Sequence, residues 1–227
     1  MSEWIKKKKA EEDLPETYSQ EEMEIVENHI EAYFGEFAGV MHEIFSPDIH
    51  VDICMIEPMP GRDYYTLVTM GMGAHFMNVP KELKKHKLER AELVITLPPD
   101  WNINGKEETD YWPIRWLKIL ARLPIEEDSW LGWGHTIDNP DTEPFAENTG
   151  FTGMMLLSDV NSEEEEAYIC EMPDGSEINF YDMIPLYPEE MKYKIEHGHR
   201  AEALLELFEK EEIQLRPMNL KRKNVCE

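Results

Sequence analysis

The run Arg90-Ala-Glu-Leu-Val-Ile-Thr-Leu97, closed by Pro98-Pro99, restricts the fold more than any other stretch of the chain. Side chains alternate across an extended strand, so Leu93, Ile95 and Leu97 share one face while Val94 looks the other way. With Val94 apolar as well, the run reads as a strand covered on both sides. Such a strand needs a sheet around it and cover above and below.

The rest of the sequence supplies candidates for both. From Gln20, the residues Val26, His29, Ile30, Tyr33 and Phe34 recur at helical spacing, with Glu21, Glu22 and Glu24 in the first turn, where the helix dipole favours anions. Apolar runs at 40–45, 50–56 and 64–70 read as strands, the last two joined through the proline-rich turn Glu57-Pro-Met-Pro-Gly-Arg-Asp63. After Gly71-Met-Gly-Ala the chain turns basic and helical in tone over 80–87. Trp112-Pro113 is read as opening a helix that ends near Pro124, with Ile114, Leu117, Leu120 and Ala121 inward. Further strands are expected at 130–137, 151–157, 167–170 and 177–185, and closing helices at 188–197 and 199–211. The expectation is one α+β domain, a central and largely antiparallel or mixed sheet with flanking helices over residues 20–213. A flexible charged arm (1–19) precedes it and a C-terminal tail (214–227) follows.

Charge narrows the function. The formal net charge is −26, and between Pro124 and Met191 there are 18 acidic residues and no lysine or arginine. That one-sign field repels nucleic acid and anionic membranes and attracts cationic surfaces over about a Debye length, close to 8 Å at physiological salt. No stretch approaches the roughly 18 uncharged apolar residues of a membrane span. The lysines at 6–9 have no apolar run behind them, so no secretory signal is expected. Cys54, Cys170 and Cys226 form neither a disulfide framework nor a Cys-x-x-Cys pair and are expected to be reduced thiols in the cytoplasm.

Motifs for chemistry are sparse. His42-Glu43 lacks the second histidine of a zinc-protease helix, and Gly71-Met-Gly73 lacks the third glycine or lysine of a phosphate cradle and reads as a tight turn. No Gly-x-Ser-x-Gly elbow is present. His50 and Asp52 share a strand face and, with His75 or His135, outline a hydrolase or metal-dependent alternative, and His197-Gly-His199 is a second place where a metal site is conceivable. His197-Gly-His199 reads first as a helix boundary. Without basic neighbours, Trp112, Trp116, Trp130 and Trp133 read as packing rather than as a platform for bases. No catalytic residue, cofactor or metal is expected.

The run Tyr64-Tyr-Thr-Leu-Val-Thr-Met-Gly-Met72, with His50-Val-Asp-Ile53 and Ile56-Glu-Pro58 before it, closely resembles the signature of the Suppressor of fused domain family in its bacterial form. The blocks 90–98, 112–124 and 130–136, and Pro144-Phe-Ala-Glu-Asn148, follow in the family's order, so the resemblance spans roughly residues 20–211. It implies a non-enzymatic, protein-binding fold like the N-terminal domain of the family's animal member, which holds a transcription factor through a segment added as a β-strand. For bacterial members it implies immunity proteins or antitoxins that neutralise toxic effectors, often nucleases.

Together these readings predict a basic, toxin-like protein partner and no direct contact with nucleic acid or membrane. The partner-binding residues are expected in the acidic half: Asp138, Asp141, Glu143 and Glu147 in one loop, and Asp159, Glu163, Glu164, Glu165, Glu166, Glu171, Asp174 and Glu177 in the following strand region. A scaffold that holds a transcription regulator by strand addition is the alternative.

Overall fold

The computed structural model describes residues 14–158 and 165–227. In chain order the elements are α1 (Gln20–Tyr33), β1 (Gly39–Met41), β2 (Asp52–Ile56), β3 (Tyr65–Met70), β4 (Arg90–Leu97), α2 (Glu108–Glu126), β5 (Thr136–Asp138), β6 (Gly153–Leu157), β7 (Ile169–Glu171), β8 (Glu177–Leu186), α3 (Pro188–Glu196) and α4 (Ala201–Lys210). The strands form one mixed sheet in the order β1-β2-β3-β4-β8-β6-β5, with β7 also paired to β8. β4 and β8 run parallel, and every other pair is antiparallel.

The period-two pattern sorts the core into layers. Ala91, Leu93, Ile95 and Leu97 of β4 pack with Trp112, Trp116, Leu117 and Leu120 of α2 on one face. Val94 turns to the other face and joins Val26, Ile30 and Phe34 of α1. Further along that second face, Ile184 and Leu186 of β8 pack with Leu204 and Phe208 of α4. The sheet is thus covered on both sides, and all eight residues of β4 are buried, the polar Arg90, Glu92 and Thr96 among them. Trp112 and Trp116 are core residues, stacked or tilted against Phe145 at 5.2 and 4.5 Å between ring centroids.

Several boundaries differ from those read in the sequence. α2 begins at Glu108, so Pro113 lies inside it rather than in its first turn. Proline there removes the hydrogen bond that Thr109 carbonyl would accept. Asn148 Nδ2 donates to that carbonyl instead, at 2.9 Å, and Arg115 Nη2 donates to Phe145 carbonyl at 3.0 Å. The 144–148 segment is fastened along α2 by these two bonds. Asn148→Ala is expected to lower stability by about 1 kcal/mol, measured by urea unfolding, because it reopens the orphaned carbonyl. The strand expected at 40–45 stops at Met41, with Ile44 and Phe45 in solvent, and the one expected at 130–137 contracts to Thr136–Asp138. The basic stretch at 80–87 keeps only a 3-10 turn at Lys84–His86.

Both chain ends contribute more than an arm and a tail. Tyr18 is buried, and Glu16 bridges to Ile49. At the other end Met218 is buried, its N–H donating to Thr96 carbonyl on β4, and Arg222 enters a fully buried ion pair with Glu190. Residues 1–13 of the expected arm lie outside the described residues.

Candidate partner-binding surface

The described carboxylates among those nominated from the sequence fall toward two ends of one strand. Asp138 closes β5 and pairs with Gly153, which pairs in turn with Leu186 at the end of β8. Glu171 pairs with Glu177 at the start of β8. β8 is ten residues long, which separates the two groups by roughly 30 Å. Asp159, Glu163 and Glu164 lie outside the described residues, as does the side chain of Glu165.

The first group is an ordered acidic loop. Asp138, Asp141, Glu143 and Glu147 are all exposed, and none forms an ion pair among the described residues. The loop is held by Phe145, buried against the two tryptophans, and by Asn139, whose side-chain amide donates to Glu143 carbonyl at 2.7 Å. Its carboxylates therefore stand on a fixed backbone frame, so little loop order has to be gained on binding.

The second group is more engaged internally. Asp174 accepts from the Ser176 amide and hydroxyl at 2.9 and 2.6 Å, sealing the β7–β8 turn and lowering its own pKa. Glu177 accepts from Lys87 Nζ at 2.6 Å. Tertiary structure thus places a lysine from the 80–87 stretch against a segment that has no cation in its own sequence. Glu166 accepts from the Tyr33 hydroxyl at 3.3 Å, and Glu171 is exposed.

The hydrolase alternative meets a different geometry. Asp52 accepts from the Glu43 amide at 2.9 Å and lies 2.9 Å from His42 Nδ1 and 3.1 Å from His50 Nε2. His50 Nδ1 is 2.8 Å from Ser46 Oγ, which donates to Glu43 at the same distance. Arg122 of α2 then clamps Glu43 at 2.7 Å to both carboxylate oxygens and reaches Asp48 at 3.1 Å. These bonds brace the loop between β1 and β2. His75 lies apart beside Glu16, and His135 in a cavity beside Lys194, so the four nominated groups do not converge. Among the described residues no set of three His, Cys, Asp or Glu side chains is placed to hold a metal ion.

Gly71-Met-Gly73 makes the tight turn expected, and it also cradles an anion that belongs to the chain. The Gly71 and Gly73 amides donate to Glu92 Oε1 at 2.8 and 3.1 Å, Tyr18 hydroxyl donates to the same oxygen at 2.5 Å, and Thr69 hydroxyl donates to Oε2 at 2.5 Å. Only glycine fits at 71, where φ is 126° and a Cβ would stand 1.9 Å from His50 carbonyl oxygen. Burial raises the Glu92 pKa, and the four donors oppose that shift. Beside it Arg90 links Gly73 carbonyl to Glu22, at 2.5 and 2.6 Å. A lone glutamate within an apolar strand run gave no sequence signal of this role.

These elements make a three-layer α+β domain with an anchored acidic loop at one end of β8. The sequence model of the family described as Suppressor of fused protein (SUFU) matches residues 47–223. The chain belongs to the Suppressor of fused family. An uncharacterized protein of Ureaplasma parvum serovar 3 is 28% identical over 190 residues, 81% of this chain and 87% of that one. Among solved structures, a SUFU homologue from Neisseria gonorrhoeae superposes with a TM-score of 0.61 at 15% identity, over 90% of this chain and 97% of its own. A chain of the Sufu-Fu complex crystal structure gives 0.61 at 10% identity, over 93% of each chain. Drosophila Suppressor of Fused gives 0.50 at 12% identity, over 78% of this chain and 42% of that one. At these identities the structural likeness carries the fold alone.

Proposed function

We propose that this chain is a non-enzymatic protein-binding domain that sequesters a basic partner, in the manner of an immunity protein or antitoxin acting on a nuclease-like toxin. The observation that carries the reading is the anchored loop with Asp138, Asp141, Glu143 and Glu147, exposed and without cations of their own among the described residues. Membership of the Suppressor of fused family supports the binding role, as does a fold shared with a protein crystallised in the Sufu-Fu complex. The net charge of −26 sets the sign of the partner. A partner of standard footprint covers about 800 Å² on each side, a patch roughly 30 Å across, so one centred on either acidic group reaches only the margin of the other. The loop, whose carboxylates have no ion-pair partner among the described residues, is the primary contact, and the group comprising Asp159, Glu163, Glu164, Glu165, Glu166, Glu171, Asp174 and Glu177, in which Asp174 and Glu177 are already engaged, a secondary one.

Scaffolding of a transcription regulator by strand addition is the second reading, and one observation favours it. Among the described residues β5 pairs with β6 and no other strand, so it is an edge of the sheet beside the acidic loop that it enters at Asp138. A segment added there would gain main-chain hydrogen bonds and meet the loop carboxylates together.

Affinity capture from the native host at low and high salt, with mass spectrometry of what is retained, separates the two. A basic toxin domain released as salt rises supports sequestration, and a transcription regulator supports the scaffold. With the partner in hand, reversing the four loop carboxylates to lysine is expected to slow association at low salt by about tenfold or more and to flatten its salt dependence. Unchanged association rate and salt slope would remove the loop from the interface.

A further inference from the structure

Lys194 of α3 is 2% exposed, yet it makes no ion pair with any described carboxylate in a chain that has 48 acidic residues. Its one hydrogen bond among the described residues is a long one, 3.4 Å to Thr136 Oγ1. Glu202 is the carboxylate whose field reaches it, but that side chain is turned to Arg200 at 4.0 Å. Burial lowers the Lys194 pKa. An ammonium held this way is costly unless a counter-charge arrives, because burying an unpaired charge costs several kcal/mol.

Space for that counter-charge exists. Lys194 lines an open cavity of about 350 Å³ between the segment leading into β5 and the α3–α4 junction, with Trp130, His135, Thr136, Ile137 and His199. Trp130 and His135 meet edge to face at 4.3 Å between centroids, which fixes one wall. The cavity unites two motifs that the acidic surface leaves unused, the Trp130–Thr136 block and the turn after α3.

We propose that this cavity is a carboxylate-binding site in which Lys194 Nζ, with Thr136 Oγ1 beside it, takes the carboxylate and Trp130 and Ile137 hold an apolar body. The volume is at the lower end for ligand pockets, enough for an occupant of about ten non-hydrogen atoms. The long-range field of the chain opposes anions. The site therefore selects an occupant that gains from apolar burial over a bare inorganic anion. Two sources share this chemistry, a free aromatic or branched organic acid and the C-terminal residue of a polypeptide. The proposal stands independently of the acidic-loop reading.

The test follows the amide resonances of Gly134, His135 and Thr136 in the full chain. It is titrated with sodium benzoate, with benzamide, and with a short peptide ending in phenylalanine as free acid or as amide. The acids are expected to shift these resonances saturably and the uncharged counterparts to bind about tenfold more weakly or worse. Lys194→Met is expected to abolish the response and leave the rest of the spectrum in place, with Lys194→Gln as the second variant should the first misfold. Tighter binding of benzoate assigns the site to a free acid, and tighter binding of the peptide acid assigns it to a chain terminus. Equal response to acid and amide, a response that survives both variants, or no saturable shift with either acid overturns the proposal.

Discussion

Arg222→Ala is expected to lower the unfolding free energy by about 3–5 kcal/mol, the usual cost of stranding one member of a buried ion pair. Arg222 donates to both carboxylate oxygens of Glu190 at 2.6 and 2.5 Å, and Glu190 is wholly buried. The guanidinium also donates to Pro185 carbonyl at 2.7 Å and lies 4.9 to 5.1 Å from the ring centroids of Phe151, Tyr187 and Phe208. Removing it leaves a carboxylate without its cation and three rings without their filler. For a chain of this size the loss corresponds to a fall in Tm of roughly 10 °C, readable by calorimetry. The double variant Arg222→Met with Glu190→Leu is expected to recover much of it, since an apolar pair of similar volume often replaces a buried ion pair at little cost. A change below about 0.5 kcal/mol in Arg222→Ala, the range of ordinary surface substitutions, would make residues 214–227 a dispensable tail.

Glu92→Leu is expected to cost about 4 kcal/mol or more, because four donors lose their acceptor at about 1 kcal/mol or more each. Glu92→Gln is expected to cost only about 1 kcal/mol. The amide oxygen can still accept from Tyr18, Gly71 and Gly73, and the amide nitrogen can donate to Thr69. The glutamine variant also reads out the charge. Burial raises Glu92 in the folded chain, and it raises Asp182 against the attraction of Arg216. For an acid with a raised folded pKa, the native state holds more protons than the unfolded one. Its contribution to stability is complete below the unfolded value, about 4.3 for glutamate, and is lost as pH rises through the folded value. Wild-type urea midpoints should therefore decline over that window, and Glu92→Gln should decline less. Identical slopes would show that the Glu92 proton is held equally in both states.

The layers of the fold were readable because they follow from periodicity. The two-sided strand at 90–97 called for helices on both faces, and α1, α3 and α4 appear near the residues that their 3.6-residue spacing marked. α2 was displaced because Pro113 suggested a first turn. Nothing local announced that Asn148, thirty-nine positions after Thr109, would take the orphaned carbonyl. The short strands β1 and β5 were over-read because apolar runs such as Val40-Met-His-Glu-Ile-Phe45 carry strand propensity into a loop braced by Arg122, seventy-nine positions from Glu43.

By itself the sequence determined the class, a sheet buried on both faces inside one acidic α+β domain, because hydrophobic period and net charge are local or summed properties of the residues. Tertiary structure alone decided the rest. It parted the described carboxylates nominated in the acidic half toward opposite ends of β8, brought Lys87 to Glu177, filled the Gly71–Gly73 turn with Glu92, locked the last residues through Arg222 and left Lys194 buried without a described carboxylate. Each depends on which groups meet across long separations in the chain, where desolvation and pairing act on spatial neighbours and leave no local spacing to read.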